Sequence, residues 1–147
     1  MAPGVMRSIG WVAVTEHDDD LRVVLSGLEP DGAIWQVRAG WNTACNHLAT
    51  VLLYGVSDDN LQSVGGFGGP PLYDGEDVND WCGQSTGTPS FVVVRASPEI
   101  ITVQAVVSCG RHVALRMSEV VPEFGLRFGA ARLPEGVSPR DVVLSYA

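Results

Sequence analysis

Apolar and polar residues alternate in short runs along almost the whole chain. That period of two suits a pleated strand and is of no use to a helix. Ala33-Ile34-Trp35-Gln36-Val37-Arg38 sets Trp35 and Val37 opposite Gln36 and Arg38, and Leu21-Arg22-Val23-Val24-Leu25-Ser26 places 21, 23 and 25 on one face. The run Ile101 to Ser108 alternates most cleanly, and Val113 to Ser118 follows it. Val, Ile, Thr and Gly are dense where a helix would want Ala, Leu, Lys and Glu. Strands are therefore expected at 9–17, 20–28, 33–41, 46–55, 60–65, 90–97, 100–108, 111–119, 125–132 and 141–146. Pro30-Asp31-Gly32, Ser57-Asp58-Asp59, Ser97-Pro98 and Pro134-Glu135-Gly136 supply turn chemistry between several of them. Thr43 to Gly55 also carries a helical spacing at 44, 48, 51, 52 and 55, so its strand competes with a helix capped by Thr43.

One hairpin is fixed to the residue. Inward positions 101, 103, 105 and 107 must pair with inward positions 113, 115 and 117. A three-residue loop Ser108-Cys109-Gly110 pairs Val107 with Arg111 and Ala105 with Val113, which keeps both faces. It needs a left-handed residue at its third position, where Gly110 stands, and leaves Cys109 at an exposed tip. A two-residue loop would set Val107 against Ala114, a core position against a surface one.

The 147 residues and 46% apolar content suit one globular domain, read as a tail at 1–8 and a single domain over 9–147. A net charge of −8, with nine arginines and no lysine, disfavours nucleic acid and anionic membrane as partners. No run approaches the roughly 20 apolar residues of a membrane span, and Met1 to Gly10 lacks the apolar centre of a signal peptide. A cytoplasmic protein is the expectation.

Residues 65–89 stand apart as a long Gly/Pro-rich loop. Its glycine run, Gly65-Gly66-Phe67-Gly68-Gly69, suggests a phosphate cradle but lacks the Lys-Ser/Thr ending. Pro70-Pro71 forbid a following helix, and Asp74, Glu76, Asp77 and Asp80 would repel an anion. Phe67, Tyr73 and Trp81 are its aromatic residues, read either as lids on the core or as anchors of a recognition loop.

Cys45, His47, Cys82, Cys109 and His112 are the ingredients of a soft metal or thiol site, and Cys45 and His47 share a strand face. Side chains at i and i+2 stand about 7 Å apart and run parallel, which does not make a nucleophile and its base. No C-x-x-C pair or G-x-S-x-G elbow occurs. Asp18-Asp19-Asp20 and Asp58-Asp59 match no calcium loop, and nothing selects two carboxylates between Asp74 and Asp80 for glycoside hydrolysis.

Gly65 to Gly69 with Pro70-Pro71-Leu72, Phe91-Val92-Val93-Val94-Arg95-Ala96 and Glu123-Phe124-Gly125-Leu126-Arg127-Phe128 together resemble uncharacterised all-β proteins of high-GC actinobacteria, over roughly residues 45–147. The resemblance implies strand over helix at 46–55 and carries no activity, ligand or catalytic residue.

The reading is thus an all-β, antiparallel β-sandwich, immunoglobulin-like in general architecture. Its expected function is non-enzymatic: a protein-interaction or ligand-binding module, with Phe67, Tyr73 and Trp81 as binding candidates and no cofactor or metal. The alternative is a metal-binding or thiol enzyme or sensor built around Cys45, His47 and Cys82. The apolar strand that runs to Tyr146-Ala147 has a bare edge, which suggests pairing with another copy or further chain in the parent protein. The expected partner is a protein or a second copy joined through an edge strand.

Overall fold

The computed structural model describes residues 21–42, 47–108 and 110–147. Every element among them is a strand or a single 3-10 turn, and every strand pairing is antiparallel. The chain is all-β, and the described residues form three sheets, none closed into a barrel. It divides between Pro71 and Leu72 into two compact units.

The described residues of the first unit form a four-stranded meander: β1 (Arg22–Leu28), β2 (Ile34–Asn42), β3 (His47–Gly55) and β4 (Gln62–Phe67), in that spatial order. Asp31 and Gly32 shape the first turn. The Asp31 carboxylate accepts from the Ala33 N–H at 3.0 Å, and Gly32 takes a φ of +90° that favours glycine. In β2, Trp35, Val37 and Ala39 are buried while Gln36 and Arg38 are half-covered, as the alternation requires. Between β2 and β4, β3 is buried from Leu48 to Leu52 on both faces, so the competing helix does not form there.

The alternation fails in β1. A bulge between Val23 and Leu25 pairs Val23 with Arg38 and Leu25 with Val37. One extra residue flips the face, so Leu25 is buried and Val23 exposed rather than the two sharing a side.

The second unit has two sheets. β5 (Val78–Gly83), β6 (Phe91–Ala96), β10 (Arg127–Arg132) and β9 (Arg116–Met117) form one, in that order. β11 (Val143–Tyr146), β7 (Val103–Val106) and β8 (His112–Ala114) form the other. One apolar cluster draws on both: Val92, Val94 and Ala96 from β6 and Ala131 from β10 pack with Val103 and Ala105 from β7, and with Leu115.

The hairpin from β7 to β8 has the register derived above. The Val107 N–H donates to the Arg111 carbonyl at 3.0 Å and Ala105 lies opposite Val113. Gly110 holds a φ of +81°, and its N–H closes the turn on the Val107 carbonyl at 2.8 Å.

Two expectations need correction. The run 111–119 is not one strand: β8 pairs with β7, whereas β9 pairs with β10 in the other sheet. Val113, Leu115 and Met117 still all meet the core, so the alternation holds while the hydrogen-bonding partner changes at Leu115. Nor is 65–89 wholly loop. β4 runs through Phe67, and β5 lies inside the supposed connection. β5 is an edge strand with Asp80 between its core-facing Val78 and Cys82, which broke the apolar pattern. The strand expected at 9–17, together with Cys45 and Cys109, lies outside the described residues.

Candidate functional site

The glycine run is a packing device in this fold. Gly66 pairs with Val51, and a Cβ on it would collide with the Thr50 carbonyl oxygen. Only glycine lets β4 lie this close to β3. Phe67 closes β4 opposite Thr50, half-buried in the first unit. Tyr73 and Trp81 belong to the second unit.

Tyr73 begins a tight turn. The Glu76 N–H donates to the Tyr73 carbonyl at 2.9 Å, and Gly75 holds the left-handed position at φ +79°. The Glu76 carboxylate reaches back to accept from the Tyr73 N–H at 3.0 Å and takes a longer contact of 3.4 Å from the Asn79 side-chain amide. Asn79 in turn accepts from Nε of Arg95 at 3.1 Å. The exposed turn is thus tied through two side chains, Glu76 and Asn79, to a cation near the end of β6.

Arg95 is the surprise of the site. It is 1% exposed, in a strand whose every residue is buried. Burial pushes its guanidinium down to about 10, and the nearby charges of Glu76 and Tyr73 oppose that fall. It stays charged at neutral pH and holds the turn from beneath. Tyr73 itself is 63% exposed, so a large aromatic side chain projects from a braced backbone. An Arg within Phe91-Val92-Val93-Val94-Arg95-Ala96 was a visible signal: a charge inside a strand apolar on both faces must find polar company.

Trp81 is placed differently. It lies within β5 opposite Val93, half-buried, with its ring folded along the strand over Gly83, where a Cβ would meet the ring at 2.6 Å. Its position is that of a lid on its own sheet.

On the core-facing side of β5, the Cys82 thiol points to the Asp80 carboxylate at 3.8 Å. Burial first, then the Asp80 charge and that hydrogen bond, push the thiol up to about 12. Asp80 is itself raised, chiefly by burial, with the thiol contact opposing and Glu76 adding to the rise. At neutral pH Cys82 is a protonated thiol, the reverse of an activated nucleophile. His47 is exposed at the start of β3 opposite Asn42. Exposed His112 shares a 2.9 Å hydrogen bond with Gln104. Among the described residues no three His, Cys, Asp or Glu side chains converge as metal ligands, and no helix is long and apolar enough to cross a membrane.

Comparison with family models, curated proteins and solved structures finds no match to this chain.

Proposed function

We propose that this chain is a non-enzymatic binding module that engages a protein partner through the turn Tyr73–Glu76. The observation that carries the reading is Tyr73, 63% exposed on a turn braced by Glu76, Asn79 and buried Arg95. An aromatic anchor on a backbone already fixed in place loses little entropy on docking, the property that favours recognition residues. Asp74 and Asp77 stand exposed beside it on a chain of net charge −8, which favours a basic partner surface. Phe67 and Trp81 are the other candidate contacts, with Trp81 serving mainly to cover β5. An immunoglobulin-like sandwich belongs to the same proposal, supported within the second unit by the apolar cluster common to its two sheets.

The test places a photo-crosslinking amino acid at position 73, identifies the captured protein, and measures its binding as a purified component. Tyr73→Ala should weaken that binding at least tenfold with unchanged unfolding, and added salt should weaken it further. Equal affinity of wild type and Tyr73→Ala would defeat the proposal. The raised thiol of Cys82 speaks against the alternative thiol enzyme built on Cys45, His47 and Cys82.

A further inference from the structure

Most sheet edges in this fold carry a device that discourages pairing with another strand. β1 is bulged at Val23/Leu25, and β4 meets β3 across an irregularity at Leu52/Leu53. β5 carries Asp80 at its middle, β8 is three residues long and β9 two. β11 has none of these. It pairs with β7 in unbroken register, and Val142 to Ala147 contains no charge, proline or glycine.

The direction of its free hydrogen-bonding groups follows from the ladder. Ala147 and Thr102 exchange both of their backbone bonds, at 3.1 and 3.2 Å. In an antiparallel pair such residues alternate with those facing the other way. Ser145 opposite Gln104 and Val143 opposite Val106 therefore bond inward to β7. Val142, Leu144 and Tyr146 turn their N–H and C=O groups outward, where no described strand meets them. The Leu115 N–H bonds to the Val103 carbonyl at 2.9 Å, which confirms the alternation, because Val103 is the partner of Tyr146 and looks toward β8.

We infer that β11 is the pairing edge for a second copy of this chain, antiparallel, with the two-fold axis at Leu144. The occupant follows from symmetry. A two-fold contact needs a surface complementary to itself, and an antiparallel edge strand presents each donor to its twin's acceptor. With the axis at Leu144, Val142 bonds Tyr146 of the second copy, Leu144 bonds its own twin, and every outward group is used. The cross-strand pairs are then all uncharged, and Val143, 67% exposed, lies opposite Ser145 of the second copy. Between Val142 and Ala147 no charged side chain opposes the approach. The overall charge of −8 opposes it only at a distance, so added salt should tighten the association. This inference is independent of the Tyr73 reading.

Amide exchange on the full-length wild-type chain at low and high protein concentration tests it, alongside sedimentation velocity. The N–H groups of Val142, Leu144 and Tyr146 should gain at least tenfold protection as dimer forms, while Val143 and Ser145 stay protected at both concentrations. Tyr146→Lys, which puts a charge on the half-exposed edge, should sediment as a monomer while Val143 and Ser145 keep their protection. A wild type that is monomeric at every concentration overturns the proposal, as does a dimer that survives Tyr146→Lys. Protection gained at Leu144 and Tyr146 but not at Val142 would move the axis to Ser145 and overturn the stated register.

Discussion

Replacing Gly110 isolates the energy of one backbone conformation. The residue holds φ +81° in the three-residue loop that joins β7 to β8, and a Cβ built there meets nothing within 4 Å. An L-residue therefore suffers no collision, and the whole cost is that of the left-handed region, about 1–2 kcal/mol. The substitution also stiffens the unfolded chain, which returns about 0.4–1 kcal/mol. Gly110→Ala should thus destabilise by about 1 kcal/mol. Gly110→Asn should lose less than half of that, because its short polar side chain tolerates the same region. Urea unfolding with far-UV circular dichroism would read both as shifts in midpoint at constant slope. Equal losses for Ala and Asn would refute the conformational argument. A loss above about 3 kcal/mol for Ala would refute the open space around it.

Gly66→Ala should do more harm than Gly110→Ala, because its Cβ meets the Thr50 carbonyl and the Val51 Cα rather than solvent; the unfolding midpoints compared side by side decide this. With Cys45 and Cys109 changed to serine, Cys82 should label slowly near pH 8, and Asp80→Asn should move its rate profile to lower pH by removing a charge that raises the thiol; an unmoved profile counts against the Asp80 contact. The Cys82 thiol is raised from 9.0 to about 12, so the folded state holds its proton where the unfolded state has released it. Its contribution to stability is complete below about pH 9 and is lost as pH rises toward 12, which Cys82→Ser should flatten in alkaline titration. Glu76→Gln removes a negative charge that stabilises the buried Arg95 cation, and should destabilise by about 1–3 kcal/mol while also loosening the Tyr73 turn, read as faster exchange of the Tyr73 amide.

Where one face of a strand is buried and the other wet, side-chain alternation alone placed the element. Trp35 against Gln36 did so for β2, and Ala105 against Val113 set a register. The bulge at Val24 was hidden because inserting a residue leaves the local composition unchanged while turning over every side chain before it. β5 was hidden because an edge strand needs only one partner and tolerates Asp80 in its middle. Of the candidate site, the aromatic residues were visible but not their roles. Exposure of Tyr73 and coverage by Trp81 depend on how the turn is braced, and that bracing links Asn79 to Arg95 across 16 positions of sequence. Periodicity describes neighbours on one strand and is blind to such a contact.

The passage from β8 to β9 makes the backbone itself a fastener between two layers. Leu115 is buried at the point where the chain leaves β7 as a partner and takes up β10. Prising the layers of the second unit apart would therefore load a covalent tether at Leu115, in addition to the side chains between them. Neither sheet can lose its short strand without slackening the end of the other, so the two should melt as one cooperative block. A cut in the peptide chain at Leu115 would uncouple them, and the amides of β7 and β10 would then exchange at different free energies instead of a shared one.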